Sequence, residues 1–259
     1  MTLPTVALLG LGEAGSRLAG DLLEAGAEVR AFDPEGRDVD GVVRAPDPQA
    51  VVAGADVVLS VNSAAAALGA ANAALPALSK GSVYADLNTA APELKREMAV
   101  LVEGAGARFA DVALLGAVPT TGIRTSALAS GTGARAFADA LMPLGMPVEV
   151  VSELPGDAAT LKLLRSVFMK GIAAAAIESL EAAEAAGRRE WLEGQLVTVL
   201  GEPLLQRLVE GSRRHAARRV DEMEAARDLL LALGIEPRVA TASASVLAAL
   251  AAAPQSGGR

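Results

Sequence analysis

Short aliphatic runs punctuate the first part of the chain, at Val6–Leu9, Glu28–Phe32, Asp56–Val61, Ser82–Leu87 and Arg108–Leu114. Each has the length of a strand and is bounded by turn-forming residues. Between them the apolar positions shift to helical spacing. In Ser16–Leu23, Leu18, Leu22 and Leu23 share one face. Pro92 opens another such segment, through Val102, as proline does in a first helical turn. Strands alternating with helices predict an α/β fold built on a mostly parallel, doubly wound sheet.

After about residue 156 the strand-like runs vanish, and long Ala/Leu/Glu/Arg helices take over. The predicted organisation is an α/β domain at 1–155, an all-α domain at 156–253 and a disordered tail at 254–259 (PQSGGR). The boundary lies near Pro155–Gly156, and Pro203 and Pro237 mark turns or helix starts in the helical half.

The first strand runs into VALLGLGEAGSRLAG, a Gly-x-Gly-x-x-Gly turn that opens a helix. In that setting Gly10 allows the tight turn, Gly12 lets the backbone approach a diphosphate, and Gly15 lets the helix pack closely. The amides of Leu11, Glu13 and Ala14 complete the cradle, because a helix N-terminus presents N–H groups to anions. Asp33 ends the second strand, where a carboxylate can hold ribose hydroxyls. A Rossmann-type site for NAD or NADP is expected, with NAD favoured by Asp33; Arg37 nearby weakens that preference. Asn62 and Ser63 follow the third strand and Asn88 the fourth, at the ends where ligands sit in such sheets. Each is either a neighbour of the cofactor or a loop cap.

Composition narrows the chemistry. Aromatics are only 2 % of the 259 residues, so the core is aliphatic. The absence of cysteine excludes disulfides and thiolate chemistry, and a single histidine excludes a multi-histidine metal site. A net charge of −8 argues against a nucleic-acid surface. No apolar run is long enough for a membrane span, and the first residues carry no basic leader, so a cytoplasmic protein is expected. The Ala-rich helices offer wide apolar faces, which predicts a homodimer through the helical domain. Trp191 is expected to serve packing or that interface.

Four segments resemble the β-hydroxyacid dehydrogenases related to 6-phosphogluconate dehydrogenase. They are VALLGLGEAG, YADLNTAAP (Tyr84–Pro92), FADVALLGAVPTTGIRTSALASG (Phe109–Gly131) and PGDAATLKLLRS (Pro155–Ser166). The helical half resembles a branch with its own type of C-terminal domain. The resemblance implies that Lys162 is the general acid/base, acting on a small hydroxy acid or its keto or aldehyde partner. It also implies a substrate site at Thr89, Gly116, Ala117, Val118, Arg165 and Ser166. Elementary chemistry agrees in part, because a lysine depressed by burial and neighbouring cations can take a hydroxyl proton. Lys162 starts an apolar helix at the domain boundary, yet it could equally be a snorkelling surface charge. Lys170 is the alternative. The other two lysines, Lys80 and Lys95, sit among polar residues and read as solvated.

The family pattern is broken in places. Ser166 replaces an Asn, Leu115-Gly116-Ala117 replaces Ser-Gly-Gly, and Asn88-Thr89 replaces Ser-Thr. Pro119, Thr120, Thr121, Gly122 and Arg124 are available to take over anion binding. Asp221-Glu222 stands where the family often shows Lys-Asp. His215, Arg219 and Glu222 follow helical spacing in SRRHAARRVDEMEAA. They form either a face over the substrate or a solvated, salt-bridged surface. Two further readings remain open at this point. Imine reduction is one, weakened by the retained Lys162. A dinucleotide-sensing protein without turnover is the other.

Overall fold

The computed structural model describes residues 3–253; the tail expected at 254–259 lies outside the described residues. Eight strands form one sheet: β1 (Thr5–Leu9), β2 (Glu28–Phe32), β3 (Val43–Arg44), β4 (Val57–Ser60), β5 (Val83–Asp86), β6 (Arg108–Leu114), β7 (Ala127–Ser130) and β8 (Val148–Ser152). Their order is β3-β2-β1-β4-β5-β6-β7-β8. Neighbours are parallel except β6 and β7, which are antiparallel. Six helices accompany the sheet: α1 (Glu13–Glu24), α2 (Pro48–Val52), α3 (Ala64–Ala74), α4 (Pro92–Gly104), α5 (Val118–Thr121) and α6 (Ala134–Leu141).

The five strands read from the sequence are present, and the sheet is doubly wound. In β1, Val6 and Leu8 face a core shared with Leu18 and Leu22 of α1 and Phe137 and Leu141 of α6. Ala7 and Leu9 face the other side, with Val51, Ala67, Ala71 and Met98. Burial on both faces is why β1 is apolar from Val6 to Leu9 rather than alternating. The strands not foreseen are β3, only two residues long, the inner strand β7 (ALAS) and the edge strand β8 (VEVVS).

Five helices follow: α7 (Asp157–Ala185), α8 (Arg189–Leu200), α9 (Glu202–Arg214), α10 (Ala216–Ala232) and α11 (Arg238–Ala252). Pro203 falls in the first turn of α9, and Pro237 immediately precedes α11. The change from sheet to helix comes after Pro155–Gly156. The compact units divide slightly later, between Lys162 and Leu163, because α7 runs through both. The helical unit packs Ala176, Ile177, Leu180, Leu205 and Val209 in one cluster and Leu163, Met223, Ala226 and Leu247 in another.

Candidate functional site

The strand order reverses beside β1, so the crevice of this sheet lies outside the carboxyl ends of β1 and β4. Gly10 leaves β1 with φ +106° and donates its N–H to the Phe32 carbonyl at 2.8 Å. A Cβ on Gly10 would lie 2.4 Å from the Val61 carbonyl oxygen, and one on Gly15 would lie 2.1 Å from the Gly10 oxygen. These two glycines are therefore demanded by the protein's own backbone. Gly12 is different: a Cβ there would meet nothing within 4 Å. It is the N-cap of α1 and no side chain caps that end. Open space above an uncapped helix start, with the amides of Glu13, Ala14 and Gly15 leading into α1, fits a diphosphate.

Leu11 points its side chain into the core and donates its amide to Asp33 Oδ2 at 2.7 Å. Asp33 Oδ1 accepts the Glu35 amide at 2.9 Å, and the Arg37 guanidinium lies 3.5 Å from Oδ2. Burial works against the charge of Asp33, but these amides and Arg37 outweigh it and hold the carboxyl below its ordinary range. Asp33 thus ties the glycine turn to the end of β2. Beside Gly10 opens a cavity of about 180 Å³ lined by Leu9, Phe32, Pro34, Pro48, Asn62 and Ala66 among others. A mostly apolar slot with one amide suits a flat heteroaromatic ring.

A polar chain runs from this slot into the sheet. The Asn62 amide donates to Asn88 Oδ1 at 2.5 Å, and Asn62 Nδ2 donates to Ser60 Oγ at 3.0 Å. Asn88 Nδ2 donates to Asp86 Oδ1 at 2.5 Å. Asp86 meets Lys95, which corrects the expectation that this lysine is solvated. Lys95 is 1 % exposed, and its Nζ lies 2.6 Å from Asp86 Oδ2 and 3.1 Å from Asp111 Oδ1. Burial alone would lower the Lys95 pKa, but the two carboxylates outweigh it and raise it. Two signals in the sequence mark this cluster. Lys95 is in phase with Pro92, Met98, Ala99 and Val102, the buried face of α4. Asp86 and Asp111 are acids inside otherwise apolar strands, which require a buried cation. Ser63 is the N-cap of α3, its hydroxyl accepting the Ala66 amide at 3.2 Å.

Lys162, on α7, donates from Nζ to Thr89 Oγ1 at 2.7 Å. Thr89 lies just beyond β5, whose carboxyl end is on the side of the sheet that carries the glycine turn. An amine and a hydroxyl thus stand together at the crevice side. The segment after β6 has Gly116 and Ala117 exposed, whereas the Val118 side chain is buried in the core and cannot reach a ligand. Further on, the Ile123 amide donates to Asp21 Oδ2 at 2.7 Å, pinning this segment to α1. Thr121 is hydrogen-bonded to Thr125 at 2.5 Å, and Arg124 is exposed.

In the helical unit, Ser166 is buried and donates its hydroxyl to Glu222, which also takes the Lys170 ammonium at 2.9 Å. Burial pushes the Lys170 pKa down; Glu222 opposes this, and Arg219 and Arg165 add to it. Arg219 donates to Ser212 Oγ at 2.5 Å. The run containing His215 is not one helix: α9 stops at Arg214 and α10 starts at Ala216, with His215 at the junction (φ −123°). Arg165 is exposed, and Trp191 on α8 is 66 % exposed, so it packs into neither cluster of this unit. Among the described residues no group of histidine and acidic side chains could hold a metal, and no helix is long and apolar enough to cross a membrane.

Residues 5–144 match the NAD binding domain of 6-phosphogluconate dehydrogenase, and residues 183–250 match a domain of unknown function, DUF1932. The chain is 28 % identical over 162 residues to an uncharacterised 28.5 kDa protein of Methanothermus fervidus, spanning 61 % of that relative's length. A conserved hypothetical protein from Sinorhizobium meliloti is 31 % identical, with 100 % of this chain and 92 % of that one covered and a TM-score of 0.76. A protein described as structurally similar to 3-hydroxyacid dehydrogenases is 32 % identical, with 95 % and 96 % covered and a TM-score of 0.73. The 3-hydroxyisobutyrate dehydrogenase of Mycobacterium tuberculosis shares the fold at 21 % identity, with 97 % and 94 % covered and a TM-score of 0.81.

Proposed function

The chain belongs to the family that carries the NAD-binding domain of 6-phosphogluconate dehydrogenase, and from that premise we propose that it is an NAD(P)-dependent oxidoreductase. Its substrate is a small hydroxy acid or the corresponding keto or aldehyde compound, and Lys162 is the general acid/base. The observation that carries this reading is the Lys162–Thr89 hydrogen bond of 2.7 Å beside the crevice. When bound, the nicotinamide supplies the acceptor or donor of a hydride. The chain supplies everything else. Amides at the start of α1 hold the diphosphate, and the slot at Phe32, Pro48 and Asn62 receives the adenine.

In the oxidative direction Lys162 Nζ takes the hydroxyl proton as the carbon loses hydride; in reduction it returns that proton to the new alkoxide. Thr89 Oγ1 accepts a hydrogen bond from Nζ and so fixes where the nitrogen stands. Asp33 favours NAD by placing negative charge where a 2′-phosphate would come, and the half-exposed Arg37 reduces that bias. Exposed Gly116 and Ala117 leave the substrate segment without the hydroxyl common in the family, which points to a less polar substrate.

The test is absorbance of reduced nicotinamide with a panel of hydroxy acids, keto acids, aldehydes and cyclic imines. Lys162→Ala is expected to lower turnover by about 10²- to 10⁴-fold while dinucleotide affinity stays within about twofold. Turnover that survives this substitution removes the lysine from the mechanism. Activity confined to imines would move the protein to imine reduction.

A further inference from the structure

Asp86 and Asp111 are register partners on the adjacent parallel strands β5 and β6, and both are fully buried. Two neighbouring carboxylates away from water cannot both stay ionised without a cation. Lys95 of α4 supplies it. Its ammonium has three protons, and three oxygens face it: the Asp86 carbonyl at 2.9 Å, Asp86 Oδ2 at 2.6 Å and Asp111 Oδ1 at 3.1 Å.

The remaining carboxylate oxygens lead in two directions. Asp86 Oδ1 accepts from Asn88 Nδ2 at 2.5 Å, and Asn88 Oδ1 accepts the Asn62 amide at 2.5 Å, at the edge of the cavity beside Gly10. Asp111 Oδ2 accepts the Ala159 amide at 2.9 Å and the Ser130 hydroxyl at 3.2 Å; Ser130 Oγ accepts the Ala158 amide at 3.0 Å. Those amides belong to the first turn of α7, and Lys162 lies in the following turn. A negative side chain at a helix N-terminus is favourable, and Asp111 Oδ2 accepts the Ala159 amide there. The lysine is the cation that both carboxylates face and holds them together.

We propose that Lys95 is a positioning residue: through Asp86 it sets the Asn88–Asn62 edge of the cofactor cavity, and through Asp111 it sets the first turn of the helix that carries Lys162. Its bearing on catalysis rests on the oxidoreductase reading; the two structural arms do not.

The experiment compares Lys95→Met and Asp111→Asn with the wild-type chain, using NADH and NADPH as probes. Amide hydrogen exchange is followed in peptides covering 86–92 and 157–165. Lys95→Met is expected to speed exchange in both peptides and to raise the dinucleotide Kd at least about fivefold, with kcat falling at least about tenfold on any substrate the panel yields. Asp111→Asn keeps an acceptor for Ala159 but loses the ion pair. It is expected to speed exchange only in 157–165, to lower kcat, and to leave the dinucleotide Kd within about twofold. A lysine that merely packs would lower thermal stability and leave Kd, kcat and this pattern unmoved. That result overturns the proposal, as does an Asp111→Asn variant that weakens dinucleotide binding as much as Lys95→Met. If Lys95→Met does not fold, Asp111→Asn decides alone: selective loosening of 157–165 supports the two arms, and uniform or absent loosening rejects them. If the wild-type chain binds neither dinucleotide, the oxidoreductase reading fails, and the exchange pattern still decides what Lys95 holds.

Discussion

In the sheet unit the Lys95 ammonium faces two carboxylates and a carbonyl, all supplied by residues of β5 and β6 that lie in register. In the helical unit Lys170 shares a single carboxylate, Glu222, with Ser166, and feels Arg165 and Arg219 as well. Burial depresses both lysines; the acids reverse the effect for Lys95 and fail to for Lys170. The difference is one of architecture. Parallel strands in register set residues side by side and can bring two acids to one point. Residues on packed helices are spaced by the turn, and here α7 and α10 bring cations together instead.

The sharpest way to break this contrast is to remove each ammonium. Lys95→Met leaves two adjacent buried acids without a cation and is expected to cost about 3–5 kcal/mol of stability. Lys170→Met removes a poorly compensated charge and is expected to cost no more than about 1 kcal/mol. Urea denaturation of both variants tests the pair, and equal losses would erase the distinction. A second contrast concerns backbone packing. Gly15→Ala would press a methyl to 2.1 Å from the Gly10 carbonyl oxygen, whereas Gly171→Ala on α7 would meet only the Val239 Cγ1 tip at 2.8 Å. The first is expected to cost about 3 kcal/mol or more and to abolish dinucleotide binding. The second is expected to stay within about 1 kcal/mol, because alanine's higher helix propensity offsets the shift of one methyl. Melting temperatures and calorimetric titration with NADH decide it.

The smallest effect is with pH. Lys95 has its folded pKa raised above 10.5, so its contribution is complete below pH 10.5 and is lost as pH rises through the folded value. Lys170 has its folded pKa lowered below 10.5, so over the interval up to 10.5 the unfolded chain binds the extra proton and stability rises with pH. The stability gap between wild type and Lys95→Met should therefore narrow above pH 10.5. The gap between wild type and Lys170→Met should shift in favour of the wild type as pH climbs towards 10.5. Denaturation midpoints from pH 7 to 11 measure both.

What could be read from the sequence follows the same division. Gly10 and Gly15 were legible because local backbone geometry dictates them, and the runs of β1, β2, β4, β5 and β6 because the core selects aliphatic residues at most of their positions. The edge strand β8 escaped because an edge tolerates mixed residues such as VEVVS, and the inner strand β7 escaped because ALAS is only four residues long. Lys95 was misread because PELKREM is charged on both sides of it, and its partners lie on strands 9 and 16 residues away. The break at His215 was invisible because RRHAARR has no glycine or proline to signal it. For Lys95 its phase with the buried face of α4 was legible, and the pairing with two acids on other strands was not.

The Asp21 contact with the Ile123 amide has a practical bearing on redesign. It staples the far end of the 116–124 segment to α1, so changes introduced past that staple would be resisted by the scaffold. If Gly116 and Ala117 line the substrate as proposed, libraries meant to alter which molecules the protein accepts should vary them, upstream of the anchor, and keep Asp21 constant.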